Sequence, residues 1–282
     1  MTATVLVLGA TGNTGSAVVD ELRRMPQVSV RTATRASSPP TDLEHRRFDW
    51  SDAASWHTAL EGADRVYLVA LAGHPEPVSL VAPFLHQAVA TGVRRVVMLS
   101  SSAVAFDGPN LGQVASAVRD AVPEWEILRP AWFMQNFTGT HPVAESIRTT
   151  GEFVTATGTG RVPFIDAGDI GRVAAHLLAA PKAKGAEHLL TGPVALTYDE
   201  AAAIVSEVTG RRVRHRAVAI GHLTDVLTAS GYDAAFADML AGLDTLIRDG
   251  AQEEVTDTVE RLTGTPARTF AAFLRAQRLQ RA

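Results

Sequence analysis

No stretch restricts the fold of this chain as tightly as VLVLGATGNTGSAVVDEL, residues 5–22. An apolar run meets a segment with glycines at 9, 12 and 15, and an apolar-periodic run follows at once. The order reads as strand, loop and helix. Glycines permit positive φ and close backbone approach, and the first amides of the following helix favour an anion. The spacing G-x-x-G-x-x-G differs from the dinucleotide fingerprint G-x-G-x-x-G, although the strand–loop–helix context is the one that fingerprint requires. A tight turn with no ligand would use the same residues, so the rest of the chain has to decide.

The pattern that follows is regular. VSVRTAT (28–34), RVYLVA (65–70), RRVVMLSS (94–101) and WEILRP (125–130) read as strands buried on both faces, with HRRF (45–48) as a weaker candidate. Helix-like segments lie between them at 14–25, 51–60, 77–91 and 111–122. Ser51 and Asp52 are expected to open one helix and Asp169 to cap another, IGRVAAHLLAA. Such alternation predicts an α/β fold with a Rossmann-like, doubly wound parallel sheet. After residue 130 the rhythm changes. EHLLTG and RRVRHRAVA read as strands flanking the helix YDEAAAIVSEVT, and from Gly221 onward the pattern is mostly helical. The expected division is a dinucleotide-binding domain over 1–130 and a smaller, mostly helical substrate-binding part over 131–282, some segments of which pack back on the sheet.

Composition narrows the partners. A net charge of −4 gives no basic surface for nucleic acid, and no run of about 18 apolar residues invites a membrane. Cysteine is absent, which removes disulfides, thiolate nucleophiles and cysteine-ligated metals. The nine histidines show no metal spacing, so no metal site is expected. A cytoplasmic location is the expectation.

The end of the second strand favours one dinucleotide. NAD-preferring folds place an acid there for the ribose 2′-hydroxyl, whereas this chain has Arg35, then Ser37 and Ser38, and no acid until Asp42. A guanidinium suits a 2′-phosphate bidentately, so NADP(H) is the expected cofactor. After the third strand, Asp49 and Trp50 in FDWSD are candidates for the adenine end, with Trp50 equally suited to the core.

GATGNTG (9–15), the strand-end TR (34–35), DW (49–50), VVMLSS (96–101) and above all ILRPAWFMQNF (127–137) resemble the NmrA-like branch of atypical short-chain dehydrogenase/reductases. Within that branch the chain is similar to the ergot-alkaloid-reductase-like (festuclavine/agroclavine dehydrogenase-like) set, and DTVERLTGTPARTFAAFLR (257–275) looks like its tail. The resemblance implies that Gly9, Thr11, Gly12, Asn13, Thr14 and Gly15 hold the pyrophosphate and Arg35 the 2′-phosphate. It places Asp49 and Trp50 at the adenine end and Ala70 and Leu71 along the ribose. Ser100 and Ser101 stand beside the nicotinamide. Pro130 to Phe133, with Asn136, line the nicotinamide and substrate pocket; Trp132, Phe133 and Asn136 are the substrate-binding candidates. Trp132, Phe133 and Phe137 suit an aromatic or polycyclic substrate, and core packing explains them as well.

The chemistry is less legible than the cofactor. Ordinary short-chain dehydrogenases use Tyr-x-x-x-Lys on the helix after the fifth strand, where the lysine lowers the tyrosine pKa. Here that helix reads LGQVASAVRDAV and has neither. The whole chain holds two lysines, Lys182 and Lys184, and three tyrosines, Tyr67, Tyr198 and Tyr232. No catalytic residue is assigned. The serines at 101 and 102 suit a substrate oxygen or a strand-end turn. His74 and His141 are the two histidines expected near the crevice. The leading expectation is an NADPH-dependent reductase of an activated C=N, C=C or quinone-like bond in a small molecule, with a place in secondary metabolism. Two alternatives stay open: a non-catalytic, redox-sensing NmrA-like regulator with a protein partner, and an isomerase or tailoring enzyme on the same scaffold.

Overall fold

The computed structural model describes residues 2–36, 42–71 and 74–279; Ser37 and Ser38 lie outside them. In chain order the first elements are β1 (Ala3–Leu8), α1 (Asn13–Leu22), β2 (Val28–Thr34), β3 (Glu44–Arg47), α2 (Ala54–Leu60), β4 (Arg65–Val69) and α3 (Val78–Ala90). Next come β5 (Arg95–Leu99), α4 (Leu111–Ala121), β6 (Glu124–Pro130), a 3-10 turn (Met134–Phe137), α5 (Pro142–Thr150) and β7 (Glu152–Thr155). The rest comprises α6 (Ala167–Ala179), β8 (Ala186–Leu190), α7 (Tyr198–Thr209), β9 (Arg214–Ala217), α8 (Ile220–Ala229), α9 (Ala234–Arg248), α10 (Thr258–Thr263) and α11 (Phe270–Leu279). Two compact units result. Unit one holds the described residues of 1–130, 167–190 and 262–264; unit two holds those of 131–166, 191–261 and 265–282.

Unit one is the expected parallel sheet, seven strands in the order β3-β2-β1-β4-β5-β6-β8. Val5, Leu6, Val7 and Leu8 are almost wholly buried, as a strand covered on both faces requires. Leu6, Leu8, Leu68 and Met98 pack with residues of α2, α3 and α4 in one cluster. Helices α1 and α6 pack together, and α6 also meets β4, β5 and β6. A Cβ on Gly171 would lie 2.5 Å from the Ala17 Cβ, so glycine there lets α6 approach α1. The α6 C-terminus is fastened by Arg95, 1% exposed, whose guanidinium donates to the carbonyls of Leu177 (2.9 Å) and Ala180 (2.6 Å) and to Glu124.

Two helix starts differ from the expectation. Asp49 accepts the Ser51 amide (3.0 Å), holding 51–53 in a turn, and α2 begins only at Ala54. Helix α6 begins at Ala167, so Asp169 sits in its first turn, where it pairs with Arg172 (2.6 Å), rather than at its cap.

Unit two is built on a separate aromatic core. Phe137 packs against Phe153, Phe164, Tyr198 and Phe270 with ring centroids 4.9–6.0 Å apart. Strands β7 and β9 form a parallel pair beside it. Helix α7 starts with a reciprocal Thr197/Glu200 capping box and ends at Gly210 in the left-handed region (φ 70°). Asp233 caps α9, and Leu223 of α8 packs with Ala156 and with Ala241 of α9.

Candidate functional site

Parallel strands bring their C-terminal ends to one edge of a sheet. Leu8 pairs with Ala33, Val69 with Leu99, and Leu99 with Leu128. Gly9, Arg35, Ala70 and Ser100, each within one or two residues of those pairs, therefore share that edge of unit one. The strand order reverses direction between β1 and β4, the switch point where open α/β sheets bind ligands.

The glycine loop is shaped by two requirements. Gly9 takes φ +63°, a conformation that side chains rarely adopt. A Cβ on Gly15 would lie 2.1 Å from the Gly9 carbonyl oxygen, so the first turn of α1 closes over the loop only because no side chain intervenes. The Gly12 amide donates to the same carbonyl (2.9 Å). No side chain caps α1, whose N-cap is Gly12, so its first amides meet no capping oxygen. Asn13 and Thr14 open the helix, with Thr14 buried, and Thr11 is exposed in the loop. Such a cradle accepts a pyrophosphate by backbone donors and the helix dipole.

Arg35, one residue beyond β2, is exposed and has no ion pair among the described residues. It acts electrostatically on Asp49: hydrogen bonds from Ser51, then the charges of Arg47 and Arg35, hold the Asp49 carboxyl below its usual range. Arg47, at the end of β3, lies 3.8 Å from Asp49 and was not singled out from the sequence, where HRRF showed only a weak strand. Trp50 is drawn into the core instead of standing open to a ligand. It is 9% exposed, packs edge-on against Phe48 and Phe84, and spends its indole N–H on the Val69 carbonyl (3.1 Å).

Ala70 is buried and Leu71 is 43% exposed, an apolar side chain at the strand edge. Ser100 is buried, with its amide on the Leu128 carbonyl (2.7 Å), and the Ser101 hydroxyl accepts the Ala103 amide (3.2 Å). No tyrosine–lysine pair joins them among the described residues. Tyr67 is fully buried inside β4, and burial pushes its phenol well up. Lys182 and Lys184 lie in the loop entering β8, whose first residue pairs with Glu126. They occupy the opposite edge of the sheet from the glycine loop. His74 accepts the Glu76 amide through Nδ1 (3.2 Å), a local turn contact.

Unit two contains a cavity of about 230 Å³. Trp132 and Asn136, both expected at a substrate site, line it, and Phe133 does not; its backbone instead bridges to Ile165. His141 lines the cavity at the start of α5, accepting the Val143 amide at Nδ1 (3.2 Å), so the proton sits on Nε2. Burial keeps this imidazole below its usual pKa. Leucines of α8 and α9 complete the apolar wall, and Tyr198 and Asp244 also face the cavity. Asp244 Oδ2 accepts the Ala156 amide (2.7 Å), and burial raises its carboxyl to about 6 in spite of that bond. Burial, then the nearby Asp244 charge, holds the Tyr198 phenol well up. The sequence carries a faint sign of Asp244: Leu240, Leu243 and Ile247 form an apolar helical stripe that this aspartate interrupts.

Among the described residues no helix is long and apolar enough to cross a membrane, and no cluster of three His, Asp or Glu suits a metal. The uncharacterized oxidoreductase YesF of Bacillus subtilis (strain 168) is 41% identical over 272 residues, 96% of this chain and 94% of that protein. Agroclavine dehydrogenase of Claviceps purpurea is 35% identical over 280 residues, 96% of each. In fold, the chain is similar to the NADPH-dependent quinone oxidoreductase QOR2 of Escherichia coli in complex with NADPH. The TM-score is 0.82 at 21% identity, covering 97% of this chain and 99% of that one. The NmrA-like family matches over residues 1–270, and the chain belongs to it.

Proposed function

We propose that this protein is an NADPH-dependent oxidoreductase that reduces an activated C=N, C=C or quinone-like bond in an apolar small molecule. The observation that carries the reading is the uncapped α1 N-terminus behind the glycine cradle, with the exposed Arg35 at the same sheet edge. Backbone amides at 13–15 would take the pyrophosphate, and Arg35 the 2′-phosphate in a charge-assisted, bidentate contact. Asp49, two residues beyond β3 on the same edge, suits the adenosine end, with Trp50 supporting it from the core. Ala70 and Leu71 would lie along the ribose, and Ser100 and Ser101 near the nicotinamide. The relatives support the reaction class, one being an agroclavine dehydrogenase and another the NAD(P)H azoreductase of Xenophilus azovorans.

NADPH, when bound, supplies a hydride. What the protein adds is position. Trp132, Asn136 and the leucines of α8 and α9 offer an apolar cavity in unit two that suits the electrophile, and fixing its orientation lowers the barrier without a side-chain acid. That suits a substrate whose acceptor atom is already electron-poor and explains why no tyrosine–lysine pair is needed.

The test is to add quinones, iminium salts and enones to the protein with NADPH and follow the loss of reduced nicotinamide absorbance. Turnover of at least one class is the expected result. Turnover of none, with tight and discriminating binding of NADP+ against NADPH, would replace the reductase with a redox-sensing regulator.

A further inference from the structure

We propose that Tyr67 is a positioning residue for the dinucleotide. Its buried hydroxyl donates to Thr14 beneath the glycine cradle when the pyrophosphate is bound, and so turns the Thr14 hydroxyl proton toward that anion. The inference rests on the cofactor reading given above and adds to it a residue that touches no part of the cofactor.

Side chains of a strand alternate between the two faces of a sheet. Leu6, Leu8 and Leu68 pack into the cluster formed with α2, α3 and α4. Val7 and Tyr67, which pair across β1 and β4, therefore point to the other face, where α1 packs on β1 and α6 on β4. Tyr67 is wholly buried there, and its hydroxyl has no hydrogen-bond partner among the described residues. A phenylalanine would fill the same apolar space without burying a polar atom, so the hydroxyl calls for a partner. Thr14 is the one side chain that acts on this phenol, tempering the upward push that burial gives it.

Thr14 is the second residue of α1, between Asn13 and Gly15, and is buried in turn. Its hydroxyl answers to no group but Tyr67 among the described residues. A hydroxyl has one proton to give and two lone pairs to receive. The Tyr67 proton has only the Thr14 oxygen to go to, and with that oxygen accepting, the Thr14 proton is the donor left over. The left-handed Gly9 and the close Gly9–Gly15 contact fix the backbone around it, so this donor is held at the cradle. Two hydroxyls in series polarise one another, and an anion at the α1 N-terminus then meets a stronger donor than a threonine alone offers. The series ends on an acceptor that none of the described residues provides, and a pyrophosphate oxygen fits that place.

The experiment measures equilibrium affinity, by calorimetry, for NADPH, ADP and 2′-AMP. ADP carries the pyrophosphate without the 2′-phosphate, and 2′-AMP carries the reverse. Tyr67→Phe is expected to bind NADPH and ADP about five- to tenfold more weakly than wild type, and 2′-AMP within about twofold of it. Its Tm without ligand is expected not to fall, because an unpartnered hydroxyl takes no hydrogen bond with it when it is removed. Thr14→Val is expected to show the same loss, and the double variant to lose no more than either single one, since hydroxyls in series act as one unit. NADPH and ADP affinities of Tyr67→Phe equal to those of wild type would overturn the role, as would additive losses in the double variant. A loss for 2′-AMP as large as that for NADPH, with a lowered Tm, would overturn it too, by showing a general structural effect. The cofactor reading fails separately: a wild type that binds neither NADPH nor ADP would sink that reading and this role with it, whereas unchanged binding by Tyr67→Phe would sink only the role.

Discussion

The Gly9 carbonyl oxygen occupies the space that a Cβ on Gly15 would need, only 2.1 Å away. This contact couples the left-handed Gly9 to the first turn of α1, so the loop cannot relax without moving the helix start. Gly15→Ala is therefore expected to weaken NADPH binding about 10- to 100-fold and to lower stability by about 1–3 kcal/mol, as overpacking of a tight contact does. Gly12→Ala, whose Cβ would stand 3.3 Å from the same oxygen, is expected to have the smaller effect. Titration of both variants with NADPH and their thermal melts check the ranking.

Asp244 makes stability depend on pH in an unusual direction for an acid. Its folded pKa of about 6 lies above the ordinary 3.8, so the folded state favours the protonated form. The contribution is fully present below 3.8 and is lost as pH rises through about 6. Asp244→Asn is expected to raise stability at pH 8 by about 1–3 kcal/mol, read as a higher Tm, and to change it little at pH 4. Melting curves at the two pH values decide it; an equal effect at both would contradict the assignment.

Arg95 holds α6 against the sheet from a fully buried position, through the carbonyls of Leu177 and Ala180, the second of which it shares with Arg65. Arg95→Met keeps most of the volume and strips the donors. It is expected to cost about 1–3 kcal/mol, since the charge-assisted contacts to Glu124 and to the Leu177 carbonyl are lost while Arg65 still reaches the Ala180 carbonyl (3.2 Å). Denaturant unfolding of the variant measures this.

The two lysines lie at the sheet edge opposite the glycine loop. Replacing both, Lys182→Ala with Lys184→Ala, is expected to leave the rate of NADPH oxidation within about twofold of wild type, where loss of a lysine that tuned a proton donor would cost about 100-fold or more. Steady-state rates on any accepted quinone or iminium salt provide the check.

What was legible in the sequence followed from local pattern. Val28–Thr34 and Tyr198–Thr209 form a strand and a helix with the boundaries their residues suggest, because β-branched continuity and the Thr197/Glu200 box are local signals. The parallel sheet and the glycine loop followed from order along the chain. Less legible were features assembled from distant segments. Trp50 lies next to Asp49 yet turns into a core shared with Phe84, a partner far along the chain. The cavity draws its walls from the 3-10 turn, α5, β7, α7, α8 and α9, and Asp244 meets Ala156 across 88 residues. Periodicity marks the apolar stripe around Asp244 without saying what the stripe faces. Asp169 pairs with Arg172 inside α6 and Asp49 takes the Ser51 amide ahead of α2, contacts that residue type alone does not specify.

The central claim is that unit one binds NADPH through the glycine cradle with Arg35 on the 2′-phosphate, and one comparison tests it directly. Equilibrium titration of wild type and Arg35→Ala with NADPH and with NADH is expected to show wild type preferring NADPH, and the variant losing about 10- to 100-fold for NADPH with NADH nearly unchanged. Equal losses for the two dinucleotides, or none for either, would contradict it.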